Sequence, residues 1–345
     1  MWIERGLVRL LTSLVLCSCS SAATGTDAND VANRKQGMLA SKNRNRPLQA
    51  TPTIHPHEEI PQFETYPANG PDPTLGSGLV LGGDVAIFLI WYGNWGHSPA
   101  PNIVPDFVQA LSGSTYMGIS AGYDDNAGDV VSGISHLGGQ ATVPADVQQQ
   151  LGSTLTQEAI GYAIWRTVDE TSLPVEPKAI YIFLTAPGVT FSDEFGDTFG
   201  PGGSLCGFHY AFQISPHQGK SPVAVVGDAS GNPSIGCAPL QNQTLSPNGD
   251  VGTDAMLSVI AHEVNESLTD SHLGNGAAWV SNVGGFQYEI ADMCAWEFGI
   301  PGETHYSHTW VYSAPNGSSA NVRLGSRDYL IQEIWKLHSG CRMEP

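Results

Sequence analysis

Positive charge is what this 345-residue chain has least of: 14 Lys and Arg stand against 33 Asp and Glu, a formal net charge of −19. Seven of the basic residues but only three of the acids lie before residue 47, so the rest is more acidic still. Such a surface repels nucleic acid and anionic membranes, and neither is expected as a partner. No apolar run is long enough to span a bilayer. There is no Gly-x-Ser-x-Gly elbow and no phosphate-cradling glycine loop, which removes the usual serine-hydrolase and nucleotide signatures. The acidic loop at 124–129 lacks the spacing of an EF-hand and reads as a turn.

Cysteine is scarce too, six in all, and two of them, Cys17 and Cys19, fall in a segment that reads as a secretory signal. Arg5 and Arg9 supply its basic start, residues 10–17 its apolar run, and Ser21-Ala22-Ala23 a small-residue cleavage site. Residues 1–23 are therefore expected to be removed, and 24–75, polar and then proline-rich, to form a disordered leader or pro-segment. His55 and His57 in that leader are expected to be solvated. Four cysteines remain for an oxidising compartment. The pairing that joins nearer segments is Cys206–Cys237 with Cys294–Cys341. Asn242 and Asn316 head glycosylation sequons; Asn265 heads a third, inside the helix described below.

What the chain has in quantity is glycine (40) and proline (23), which suits a loop-rich single domain over 76–345. Apolar runs at 84–92 and 179–185 read as buried strands, 208–215 as an edge strand and 222–227 as another. Residues 115–123 are a further strand candidate. A short helix is expected over 105–111 with proline in its first turn, and Thr154-Leu-Thr-Gln157 reads as a capping box opening a helix to about Glu170. The fold expected is mixed α/β (α+β), with a twisted mixed sheet, a backing helix and a loop-rich C-terminal part.

The chemistry concentrates in one predicted helix. At about 100° per residue, His262, Glu266 and Thr269 fall on one face with Glu263 and Asp270 at its flank. Leu257, Ile260, Ala261, Val264 and Leu268 take the opposite side. Burying unpaired carboxylates is expensive, and the helix has no Lys or Arg to neutralise them. A cation resolves that conflict; a solvated acidic face is the plainer outcome. His262-Glu263-x-x-Glu266 differs by one residue from the H-E-x-x-H of zinc peptidases, in which the first and last residues ligate zinc and the Glu activates water. With the strand and helix order around it, the stretch resembles the upper lobe of the zincins.

That resemblance implies roles for a second acidic cluster. Thermolysin-like zincins place a third ligand, a Glu on a second helix, at a distance similar to that from Glu266 to Glu289, followed by an Asp that orients the ligating His, here Asp292. Asp292 or Asp270 as the ligand itself is nearly as good a fit. Zinc is the expected ion and calcium the alternative. Glu263 would be the base, and Tyr288, His305, Tyr306 or His308 an oxyanion partner. Cys206 with His209 imitates a nucleophile pair, but a secreted chain oxidises such a cysteine.

Other stretches resemble the secreted EXORDIUM, or phosphate-induced, protein family of plants. They are Ile90-Trp-Tyr-Gly-Asn94, Cys206-Gly-Phe-His209, Ser246-Pro-Asn-Gly-Asp-Val-Gly-Thr-Asp254 leading into the motif helix, and the ending from Arg327 through Trp335 to Cys341. The resemblance implies an extracellular protein tied to cell-wall or growth responses. Three expectations follow: a secreted zinc-dependent hydrolase acting on a peptide or protein; a non-enzymatic EXORDIUM-like protein; and, from eight Trp and 11 Tyr, a wall-carbohydrate binder.

Overall fold

A computed structural model describes residues 66–344 apart from 68–69, 193–197, 200–204, 215–218, 230–236, 275 and 300–309. The apolar run near residue 90 forms β1 (Gly83–Tyr92), followed by α1 (Ala100–Leu111) and β2 (Val131–Thr142). Next come α2 (Ala145–Leu151), α3 (Gln157–Glu170) and β3 (Ile180–Thr185). Then follow β4 (Gly207–Phe212), β5 (Ser221–Gly227) and α4 (Val251–Thr269). The five strands form one sheet in the order β2-β1-β3-β5-β4. Four of them run parallel, and β4 lies antiparallel at the edge, with Phe208 opposite Val225 and His209 opposite Ala224.

Alternation along the strands fills a core on each side of the sheet. Ile87, Leu89, Ile182, Leu184, Ala224 and Val226 pack toward α1 and α4. Phe88, Ile90, Tyr181, Phe183, Val223 and Val225 pack toward Ile160, Ala163 and Ile164 of α3. The region after α4 is built of short hairpins: β6 (Trp279–Val283) with β7 (Phe286–Tyr288), then three two-stranded pairs to Arg342. Both expected disulfides, Cys206–Cys237 and Cys294–Cys341, are present.

Several local expectations are corrected. Residues 115–123 form no strand; they make a 3₁₀ turn at Met117–Ile119 and loops in which Tyr116 and Tyr123 anchor their hydroxyls to the carbonyls of Gln332 and Trp335. α1 begins at Ala100, five residues early, and carries Pro105 inside it. The cap of α3 is Thr156, whose side chain accepts from the Ala159 amide, rather than Thr154, which lies in a two-residue strand. The acidic loop is indeed a turn, organised by Asp125, which accepts from the amides of Ala127, Asp129 and Val80. Packing reaches back into the segment read as leader: Tyr66 is buried against Tyr288 and Trp335, and Thr74–Leu75 pairs with β6. The signal segment, His55 and His57 lie outside the described residues.

Candidate metal centre

Helix α4 starts at an Asp250 cap that accepts from the Thr253 amide, and from there it runs through the interior. From Gly252 to Thr269 every residue is buried, which overturns the plainer alternative of a solvated acidic face. Leu257, Ile260, Val264 and Leu268 enter the core beneath the sheet, and His262, Glu263 and Glu266 have no exposed surface either. The polar face is enclosed because α4 packs on β5 and β4 while the chain after β7 closes over its other side.

Two residues that the sequence reading did not assign to the metal join the motif: His209, read only beside Cys206, and His272. His209 projects from β4 toward α4, since its neighbours Phe208 and Tyr210 occupy the opposite core. The strand approaches the helix closely here: a Cβ on Gly207 would lie 2.5 Å from Val259 Cγ1 and 3.0 Å from Glu263 Oε1. His272 sits just past the end of α4 in the left-handed region (φ 52°), its ring 4.5 Å from that of His209. Signals for both existed. A lone His between two aromatics on an edge strand faces the opposite side from them. His272 stands ten residues after His262, the spacing of the third ligand in the H-E-x-x-H-x-x-G-x-x-H pattern.

The distances draw these groups into one cluster. His262 Nε2 is 3.0 Å from Glu266 Oε1 and 3.6 Å from Asp292 Oδ1. His209 Nδ1 is 3.2 Å from Glu263 Oε2 and 3.4 Å from Glu266 Oε2, and its Nε2 is 3.4 Å from Glu289 Oε1. Three groups of candidate ligand atoms lie within 4.8 Å of one another: His262, Glu266 and Asp292; His209, Glu263 and Glu266; His209, His272 and Glu289. Asp270 is buried as the residue capping α4 but belongs to none of these groups; its backbone carbonyl, 3.2 Å from His209 Nε2, faces the cluster instead. Glu289 lies on no helix, contrary to the thermolysin-like expectation. It follows β7 directly, and Asp292 opens a 3₁₀ turn whose first amide donates to Glu266 Oε1 at 3.0 Å.

Closeness here is not matched by hydrogen bonding. Among the described residues, His262 Nε2, Glu263 Oε1, Glu266 Oε2, His272 Nε2 and both oxygens of Glu289 are buried with no hydrogen-bond partner of good geometry. Such orphaned groups cost about 1–3 kcal/mol each, so a cluster of them needs an occupant or protons. Without a cation the protons must do the work. Burial pushes Asp292 up to about 7, with Glu266 adding to the push, and pushes Asp270 up to about 6. Burial also raises Glu263, and raises Glu289 well above the carboxylate range. Burial opposes charge on His209 and His262, but the surrounding carboxylates outweigh it and raise both rings well above the usual range. Burial opposes ionisation of Glu266 as well, yet those two rings hold it down at about 2. Burial and His209 keep His272 neutral.

The far side of the His262 ring is also held. Gln332 Nε2 lies 3.0 Å from His262 Nδ1 and 2.7 Å from the Ala291 carbonyl. The amide donates to the Ala291 carbonyl and accepts from the Trp296 N–H at its oxygen, so it meets His262 Nδ1 as a donor. Of the four oxyanion candidates, Tyr288 packs edge-on against Tyr66, and His305, Tyr306 and His308 lie outside the described residues. The Cys206 thiol is consumed in its disulfide. The amide nitrogens of Asn242, Asn265 and Asn316 all donate to backbone carbonyls, and of the three Asn316 is the exposed one.

Residues 74–343 match the family model described as the phosphate-induced protein 1 conserved region. The Arabidopsis thaliana protein named EXORDIUM-like 3 is 32% identical over 278 residues, covering 75% of this chain and 78% of that protein. EXORDIUM-like 5 from the same plant is 28% identical over 273 residues, covering 73% of this chain and 71% of its own length. EXORDIUM-like 2 is 25% identical over 274 residues, covering 75% and 85%. No solved structure matches the chain. No helix among the described residues is long and apolar enough to cross a membrane.

Proposed function

The chain belongs to the phosphate-induced protein 1 family, and from that premise we propose that it is an extracellular, EXORDIUM-like protein whose working part is an enclosed divalent-cation centre on α4. The observation that carries this reading is the buried, unpartnered set His262 Nε2, Glu266 Oε2, Glu289 Oε1 and Oε2, and His272 Nε2. Imidazole and carboxylate donors together suit zinc and its first-row neighbours better than calcium, which takes oxygen alone. Two disulfides and the predicted secretory signal support an extracellular setting, where the partner would be a cell-wall component or another secreted protein. Burial of His209, His262, Glu263, Glu266 and Glu289, with His272 and Asp292 alone partly exposed, favours an ion that holds the fold and its surface in shape, since a hydrolytic zinc keeps a position open to substrate.

Metal-dependent hydrolysis of a peptide is the second reading. It is favoured by Glu263 standing directly after His262, as the base does in H-E-x-x-H, and by an antiparallel edge strand, β4, running beside the motif helix.

Elemental analysis of the purified secreted protein tests the first reading. The native chain is expected to carry tightly held zinc or a first-row equivalent, and the His262→Ala/Glu266→Ala variant to lose it. A folded native chain that contains no transition metal and takes up none on dialysis overturns the reading. For the second, a peptidase screen is run on native protein beside Glu263→Gln; activity that Glu263→Gln retains excludes Glu263 as base.

A further inference from the structure

We propose that the centre holds two divalent cations, bridged by the carboxylate of Glu266. The inference deepens the metal-centre reading and rests on it. Its first support is the way the two oxygens of Glu266 divide their neighbours. Oε1 faces His262 Nε2 at 3.0 Å and the Asp292 amide at 3.0 Å, whereas Oε2 faces His209 Nδ1 at 3.4 Å. A carboxylate turned so that each oxygen meets a different imidazole is placed to bridge ions of the usual two-metal separation, about 3.5–4 Å.

The donors fall into two groups on either side of that carboxylate. His262 and Asp292 stand with Oε1. His209 and Glu263 stand with Oε2, and there Glu263 Oε1 and Glu266 Oε2 are buried without hydrogen-bond partners among the described residues. This second group is more than an acidic cluster: it joins a ring on the edge strand to orphaned carboxylate oxygens on α4. His209 Nε2, 3.2 Å from the Asp270 carbonyl, donates the ring proton there and leaves Nδ1 turned toward Glu266 Oε2 and Glu263 Oε2. A backbone carbonyl behind a ligating imidazole fixes its tautomer in this way.

Charge balance points the same way. With the three imidazoles neutral, Glu263, Glu266, Glu289 and Asp292 carry four negative charges in the interior. A single dication leaves two of these charges, and Asp270 buried beside them, to be neutralised by protons. Two dications balance the four without any. One tetrahedral ion also uses only four donor positions, fewer than the orphaned atoms and their close neighbours supply.

Native mass spectrometry of the secreted protein loaded with zinc counts the ions. Two per chain is the expected result. His209→Ala/Glu263→Gln is expected to fall to one while the circular dichroism of the fold is kept, and His262→Ala likewise to one. Loading with Mn²⁺ adds a readout independent of mutation: paired ions give a spin-coupled signal, isolated ones do not. One zinc per native chain, with an uncoupled Mn²⁺ signal, overturns the pair but leaves the metal-centre reading standing. No bound metal overturns both. Loss of all metal from a folded His209→Ala/Glu263→Gln variant also overturns the pair, because it makes the two groups one site.

Discussion

At Asp292 and Asp270 the enclosed cluster translates into a dependence on pH. Their carboxyls, ordinarily at 3.8, are raised to about 7 and about 6, so the folded chain holds those protons more tightly than the unfolded chain does. A group raised in this direction stabilises the fold at low pH, and that contribution is lost as pH rises through the folded value. His209 and His262, also raised, act in the same sense at higher pH. Glu266, held at about 2, acts oppositely: its contribution is present above its ordinary 4.5 and is lost as pH falls toward 2. Chelated protein is therefore expected to melt at progressively lower temperature from about pH 4 to 7. A cation competes with the same protons, so with excess zinc the trend should reverse over that range. Melting curves with EDTA and with zinc check this; parallel slopes would mean that no cation enters the cluster.

The contact between β4 and α4 is the element on which the arrangement depends, and Gly207 permits it. An added Cβ meets Val259 Cγ1 at 2.5 Å, with backbone on the other side at Val225 O, 3.0 Å away. Gly207→Ala is expected to cost about 1–3 kcal/mol, the usual range for overpacking a filled interior, and to displace His209 from Glu263. Gly219→Ala, where a Cβ meets nothing within 4 Å, is the control and should be neutral or slightly stabilising. Chemical denaturation of both variants decides it; equal midpoints would show that the strand and helix can separate at no cost. Legibility divides along the same elements. Helix α4, with its ligand spacing, and the strands β1, β3 and β5 were readable because apolar runs and residue spacing are local signals. β2 was not: residues Val131–Thr142 include three glycines and alternate at a sheet edge, with no apolar run to mark them. His209 was read only beside Cys206: alternation along β4 separates it from Phe208 and Tyr210, but that its side meets α4 comes from a pairing with β5 that no local pattern specifies. Glu289 and Asp292 were found by distance along the chain, but the helix expected to carry them is a β-strand end and a 3₁₀ turn.

Across the whole molecule, the cation centre is closed by chain segments far apart in sequence, and the disulfides pin those segments. Cys294 follows Asp292 by two residues and is joined to Cys341 over a separation of 47. Cys206 stands three residues before His209 on the strand that brings it in. One bridge thus steadies each group of donors. Opening the larger loop with Cys294→Ser/Cys341→Ser is expected to destabilise the fold by about 4 kcal/mol on the loop-closure estimate. The more telling effect is on the ion. If Asp292 and Glu289 are ligands, the loosened segment must be reordered on binding, and the affinity for zinc should fall along with stability. Excess zinc should then recover part of the lost melting temperature, because an ion that binds the folded chain alone stabilises it by mass action. Titration calorimetry beside thermal melts separates the two effects. A variant that is destabilised yet binds zinc as tightly as the native chain would place the ion away from the Glu289–Asp292 segment, on the donors of α4 and β4 alone.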